Sequence, residues 1–140
     1  DNKPGTLIAA GIDQLVELGL KRRYLVPVAD YWPGAVSVII PCGPELAYLH
    51  LGTGGLAVRI PDLPDLLELL QATGPLTTSS ANLTGQPTAT TVTQAQAYFA
   101  DAVDFYVDGG NLSDRQPSTI VRIVDDAIEV VREGAVNIET

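Results

Sequence analysis

Residues 36–40, Val-Ser-Val-Ile-Ile, are closed in by Pro33-Gly34 on one side and Pro41 on the other. A short, nearly unbroken β-branched run of this kind predicts a buried strand, and a buried strand needs packing layers around it. The surrounding pattern supplies them, because short β-type runs alternate with stretches of helical period. Residues 7–10 predict a short strand, and Ile12, Leu15, Val16 and Leu18 recur at helical spacing up to Gly19. A second helix is expected over 23–31, and a further strand over 56–60 ends at Pro61. Asp62 is placed to cap the next helix, with Pro64 in its first turn, Leu66, Leu67, Leu69 and Leu70 on its apolar side, and Gly74-Pro75 at its end. Residues 76–79 predict a short strand running into a polar loop. Thr93 with Gln96 has the capping-box spacing for a helix reaching about Ala100. Strands are expected at 105–107, 119–124 and 128–131. No internal repeat or linker divides the 140 residues, so one domain over 1–140 is expected, of mixed α/β class around a single sheet.

Composition narrows the function. No apolar run approaches the roughly 18 residues that cross a bilayer, which argues against a membrane span. Cys42, the single cysteine, excludes an internal disulfide and any Cys-cluster metal site, and suits a reducing, cytoplasmic compartment. His50, the single histidine, leaves little for His-based metal binding. A formal net charge of −9 speaks against a free-standing nucleic-acid binder, which would carry a basic face. The chain has no methionine, even at position 1, so a natural N-terminus upstream of Asp1 is expected.

The most unusual segment is 77–93, where nine of 17 residues carry hydroxyls. It lies between a predicted strand and a predicted helix start, where backbone N–H groups and short hydroxyls can converge on phosphate. Ser80 and Asn82 would face the same side of an extended stretch. A Ser/Thr-rich surface loop is the plainer reading. Arg59 interrupts an apolar strand on the side opposite Val58 and Ile60; it can clamp a carboxylate, face solvent or pair with Asp62. The same choice holds for Arg132, which leaves the last strand. Ser118 and Thr119 put hydroxyls at a strand start, and Asp108-Gly109-Gly110 reads first as a plain turn. Lys21-Arg22-Arg23 is the one basic cluster, and a solvated helix end is its default. Trp32 is expected in a packed corner and His50 as a satisfied or surface histidine. No dinucleotide or Walker-type glycine motif is present.

Taken together, Lys3-Pro4, Trp32-Pro33-Gly34, the segment from Val58 to Asp62, the Ser-Ala-Asn-Leu-Thr-Gly-Gln-Pro run from Ser80 to Pro87, Asp108-Gly109-Gly110, the Pro-Ser-Thr-Ile-Val run from Pro117, and Arg132-Glu133-Gly134-Ala135 resemble the YrdC-like domain family. Order and spacing agree over essentially the whole chain. The resemblance implies a twisted, mainly parallel mixed sheet with flanking helices and an open cavity. It also implies a threonylcarbamoyl-AMP synthase, which joins L-threonine, bicarbonate and ATP with release of pyrophosphate. The product serves threonylcarbamoyladenosine formation on tRNA through a separate transferase complex. By motif, Arg59 and Ser118 would contact threonine. Ser80, Asn82, Thr88 and Arg132 would line the ATP side, with Lys3 beside the phosphates and Mg²⁺ bridging phosphate oxygens. No protein nucleophile is required, and none is expected.

The chain also departs from the family pattern. Family members carry a segment with a Lys-x-Arg motif ahead of the Lys3-Pro4 equivalent, and this sequence has none, so a domain lacking its N-terminal segment is expected. Gly5 and Ala35 stand where leucine and proline are usual. Two other readings remain open on sequence grounds. One is a carbamoyltransferase-type YrdC module, as in hydrogenase maturation proteins; the other is a nucleotide-binding module, or one binding double-stranded RNA or tRNA, without turnover.

Overall fold

The computed structural model of the protein describes residues 5–125 and 127–138. Strand β1 (Thr6–Ile8) leads into α1 (Ile12–Leu18) and α2 (Arg22–Leu25), and α2 passes into a 3-10 segment over Val26–Tyr31. The helix expected over 23–31 is thus α-helical only at its start. Pro27 has no amide hydrogen and its ring crowds the preceding turn, so the chain continues in tighter i+3 bonding. Trp32 follows, partly buried against the core, with its indole N–H donating to the Val36 carbonyl at 2.8 Å. That is the packed corner expected from sequence.

Strand β2 (Val36–Pro41), a 3-10 turn (Pro44–Leu46) and α3 (Ala47–His50) bring the chain to β3 (Gly55–Arg59). Helix α4 (Pro64–Thr73) and β4 (Leu76–Thr78) follow, then α5 (Val92–Phe99), β5 (Thr119–Val124) and β6 (Ala127–Arg132). His50 is buried and fully bonded. Its Nδ1 accepts from the Gly52 and Gly54 amides at 3.1 and 3.2 Å, and Nε2 lies 3.0 Å from the Gly43 carbonyl. Two amides on Nδ1 require the lone pair there, so Nε2 carries the proton and donates.

Among the described residues the sheet has six strands in the order β4-β1-β3-β2-β5-β6. It is mixed, as expected. The pairs β1/β3 and β2/β5 are parallel, while β1/β4, β2/β3 and β5/β6 are antiparallel, so parallel neighbours do not predominate. The β5/β6 pair shows why: Val124 faces Ala127, and a connection that short cannot make a crossover, which parallel pairing needs.

Register sorts the side chains onto two faces. Leu7, Val58, Val38 and Val121 form one row across β1, β3, β2 and β5, each 2% exposed or less. Leu15, Leu25, Val28 and Leu46 from the helices and their flanks join the same core cluster. Burying each of these side chains contributes roughly 1.5–3 kcal/mol. The opposite face carries Thr6, Ala57, Ile39 and Arg122 in one row and, in the next, Ile8 with Arg59 and Ser37 with Ile120 and Arg132.

Contacts divide the chain into two compact units, one running through Thr78 and resuming at Pro117, the other comprising Ser79–Gln116. In the second unit α5 is capped by Thr91, whose hydroxyl accepts from the Gln94 amide at 3.2 Å, while Gln94 Oε1 accepts from the Thr90 amide at 2.8 Å. The capping pair is therefore Thr91 and Gln94, two residues before the expected pair; the sequence contains both spacings. Helix α4 likewise starts after Leu63 with no side-chain cap, because Asp62 stands one residue too early. Residues 105–107 form no strand. Phe105 and Val107 are 77% and 80% exposed, and a strand without a neighbouring edge leaves its backbone groups unpaired. Tyr106 instead donates from its hydroxyl to the Ala100 carbonyl at 2.7 Å.

Candidate functional site

Arg59 stands at the end of β3, on the face away from the core row because Val58 points into it. Its Nε donates to the Gly34 carbonyl at 2.9 Å, which draws the guanidinium over the turn that opens β2. The side chain is half-buried, and that burial pulls its pKa below the ordinary arginine value. It makes no ion pair with Asp62 among the described residues. With Nε committed, the two terminal nitrogens remain for a ligand, and they match the two oxygens of a carboxylate.

At the other end of the same face, Arg132 closes β6 over the entrance to β5. Its Nε and Nη2 donate to the Ser118 carbonyl at 3.2 and 2.8 Å, and Nη2 lies 3.3 Å from Ser118 Oγ. Gly134 permits the approach of the two segments: a Cβ there would sit 2.4 Å from the Pro117 carbonyl oxygen and 2.7 Å from that of Ser118. Thr119 is spent on structure, exchanging hydrogen bonds with the Val136 backbone. The sheet thus brings Arg59, Ser118 and Arg132 to one face, with β3 and β6 three strand spacings apart, roughly 14 Å.

Two further residues of this face received no site role from the sequence, although Ser37 keeps the hydroxyl of a threonine common in the family. Arg122 lies in the row of Ile39 and Ala57, opposite Glu129 on β6, and no ion pair joins them. Ser37 is the one hydroxyl within the run at 36–40. Alternation in that run was the available signal, since burying Val36, Val38 and Ile40 turns Ser37 to the other side. Arg59, Arg122 and Arg132 are three of the eight basic residues in a chain of net charge −9, and Glu129 opposite Arg122 shares their face.

The second unit holds its own candidates. The Asn82 amide N–H donates to the Ser80 carbonyl at 3.0 Å, so the chain bends there and the same-side argument, which assumed an extended stretch, does not apply. Ala89 N–H closes the loop on the Ala81 carbonyl at 2.8 Å, and the Thr88 hydroxyl reaches Asn82 Oδ1 at 3.5 Å. Asn82 and Thr88 are therefore neighbours, and Ser80 is exposed beside them in the chain. Asp108 accepts from the Gly110 amide at 2.8 Å, the plain turn expected. Lys3 lies outside the described residues.

Among the described residues of the first unit, cavities include these two. One of about 440 Å³ is lined by Ile39, Pro41, Thr53, Gly55 and Arg122; the other, about 460 Å³, by Gly11, Gln14, Trp32, Pro33 and Gln71. Neither lining includes Arg59, Ser118 or Arg132. Cys42 has its thiol pushed up by burial and, second, by Glu45, so it is a poor nucleophile. Arg22 of the basic cluster pairs with Asp13 at 3.0 Å. Among the described residues no group of three or more His, Cys, Asp or Glu gathers as a metal cage, and no helix is long and apolar enough to cross a membrane.

A family model described as "Telomere recombination", covering Sua5, YciO and YrdC, matches residues 1–134. A relative in Mycobacterium tuberculosis is 36% identical over 113 residues, 80% of this chain and 52% of its own length, so the chain spans about half of that protein. The threonylcarbamoyl-AMP synthase of Klebsiella pneumoniae is 37% identical over 136 residues, covering 91% of this chain and 69% of that one. Among solved structures, Sua5 of P. abyssi complexed with L-threonine superposes with a TM-score of 0.79 at 22% identity, over 95% of this chain and 40% of that one. The mixed sheet, the order of motifs along it and these matches agree: the chain belongs to the Sua5/YciO/YrdC family.

Proposed function

We propose that this chain makes threonylcarbamoyl-AMP from L-threonine, bicarbonate and ATP. The observation that carries the reading is Arg59. A guanidinium anchored through Nε to Gly34, with both terminal nitrogens unengaged, is built to take a carboxylate end-on, and threonine brings one. Ser118 offers a second polar contact for the amino acid. Arg132 offers charge for the nucleotide; by the family motif alone, Ser80, Asn82, Thr88 and Lys3 are further ATP-side residues.

The chemistry asks little of the protein beyond placement. The threonine amine adds to bicarbonate with loss of water, and a carbamate oxygen attacks the α-phosphorus. The bond to the β-phosphate bridging oxygen breaks, and pyrophosphate leaves with the electron pair. No side chain becomes covalently attached, so rate depends on alignment and on charge facing the phosphates. Mg²⁺ would neutralise phosphate charge. The product would pass to a tRNA-modifying transferase in the cytoplasm, and any contact with tRNA belongs to the same proposal.

Pyrophosphate release by the 140-residue chain, with L-threonine and bicarbonate supplied together and singly, tests this. Release that needs both supports the synthase. Release driven by carbamoyl phosphate instead assigns the carbamoyltransferase chemistry, and salt-dependent RNA binding without release assigns a binding module.

A further inference from the structure

Ser37 is 4% exposed, yet its hydroxyl has no hydrogen-bond partner among the described residues. No fully buried side-chain polar atom in those residues lacks a partner, so the unbonded Oγ must reach solvent at the sheet surface. The side chain points away from the core row of Val36, Val38 and Ile40. Its direction is therefore the face that carries Arg59, Ile120 and Arg132.

Two relations tie it to Arg59. The β2–β3 register pairs Ile39 with Ala57 and ends at Val38 with Val58; Ser37 directly precedes Val38 and Arg59 directly follows Val58, so both stand just beyond the last paired rung. The Arg59 Nε bond to Gly34 leans the guanidinium over the lead-in to β2, three residues before Ser37. On Ser37's other side stands Ile120, and beyond it Arg132, so no carboxylate occupies that row to compete for the hydroxyl. A nearly buried donor left open beside an anchored cation forms one half of an anion contact.

We infer that Ser37 is a further substrate-binding residue, donating its hydroxyl proton to the amino-acid carboxylate that Arg59 holds. The inference rests on the reading of this site as an amino-acid site and adds to it a second fixed donor, so the carboxylate is oriented as well as held. Arg59 alone leaves rotation about the guanidinium–carboxylate axis; a hydroxyl from the neighbouring strand removes it and sets where the amine points.

The test is calorimetric titration of the full chain with L-threonine and, separately, with ATP, for wild type, Ser37→Ala and Ser37→Thr. Losing a hydrogen bond to a charged group should weaken L-threonine roughly tenfold or more in Ser37→Ala, leave ATP nearly unchanged, and be largely restored in Ser37→Thr. The same variants are followed by thermal unfolding. Removing an unpartnered hydroxyl should leave Tm unchanged or raise it, whereas a drop of several degrees in Ser37→Ala, with threonine and ATP weakened together, would assign the hydroxyl a structural bond and overturn the inference. Equal threonine affinity in wild type and Ser37→Ala overturns it while the site reading stands. A wild type that binds ATP but no L-threonine overturns the site reading, and this inference with it.

Discussion

Arg132 grips Ser118 from β6, two of its nitrogens reaching the carbonyl at 3.2 and 2.8 Å while one also approaches the hydroxyl. In the proposed reading Arg132 serves ATP and Ser118 serves threonine, and the contact would couple the two subsites. Arg132→Ala should weaken ATP about tenfold, the scale of a lost charged hydrogen bond, and weaken threonine by a smaller factor through the released Ser118. Titration with each ligand reads both, and unchanged nucleotide affinity would reject the role.

Arg59→Ala should raise the threonine requirement roughly tenfold or more and leave the ATP requirement nearly unchanged. Arg59→Lys should recover little, because one ammonium cannot serve the Gly34 carbonyl and both carboxylate oxygens at once. Steady-state pyrophosphate release at varied threonine and varied ATP separates these effects; equal losses on both substrates would sink the assignment.

Gly134→Ala has nowhere to put its methyl group. Backbone atoms of Pro117 and Ser118 stand 2.4 to 2.7 Å from the position, and backbone cannot swing aside as a side chain can. We expect a loss of roughly 1–3 kcal/mol in urea unfolding, together with weaker threonine binding as Ser118 is pushed away. Stability equal to wild type would show that the hairpin end is looser than its contacts indicate.

His50→Ala would orphan the Gly52 and Gly54 amides and the Gly43 carbonyl around a buried site. The cost should be on the order of 3 kcal/mol, read as a lower urea midpoint with little change in slope. Ligand affinities measured well below that midpoint should stay near wild type, since the His50 ring bonds only to the backbone of Gly43, Gly52 and Gly54, none of them a site residue.

The Cys42 thiol titrates above its ordinary value, with burial the larger cause and Glu45 the smaller. Above about pH 8.5 the unfolded thiol ionises while the folded one keeps its proton. The unfolded state then binds fewer protons, so stability falls with rising pH until the folded thiol ionises too. Alkylation of native protein should accordingly show a midpoint above that of a free cysteine. Cys42→Ser should flatten the alkaline loss of Tm; the same alkaline slope in both proteins would remove this group as its cause.

Much of the fold was legible because the relevant signals are local. The run at 36–40 between prolines, the helical period ending at Gly19 and helix α4 all appear where they were expected, although Leu69, expected on the apolar side of α4, is 49% exposed. What failed did so where competition between neighbours decides. Residues 105–107 have strand character but no edge to join, and Thr91 took the cap from Thr93, its hydroxyl accepting from the Gln94 amide while Gln94 Oε1 accepts from the Thr90 amide. Pro27 shows a milder case: its effect on the helix was written in the sequence, but it shifted the segment to 3-10 bonding instead of ending it.

For the site, the sequence by itself determined which residue types were available: a strand-end arginine, a hydroxyl at a strand entrance, an arginine before Glu-Gly, and a loop dense in hydroxyls. Alternation even assigned Arg59 its face. Only the tertiary structure decided which of them meet. Strand order and register are set by long-range pairing, and through them β6 folds back on β5 so that Arg132 reaches Ser118. The β2–β3 pairing likewise leaves Ser37 and Arg59, 22 positions apart in the chain, just beyond its last rung at Val38 and Val58. Side-chain period follows from local backbone geometry, whereas which strand lies beside which follows from burying one common apolar face, and that is a property of the whole chain.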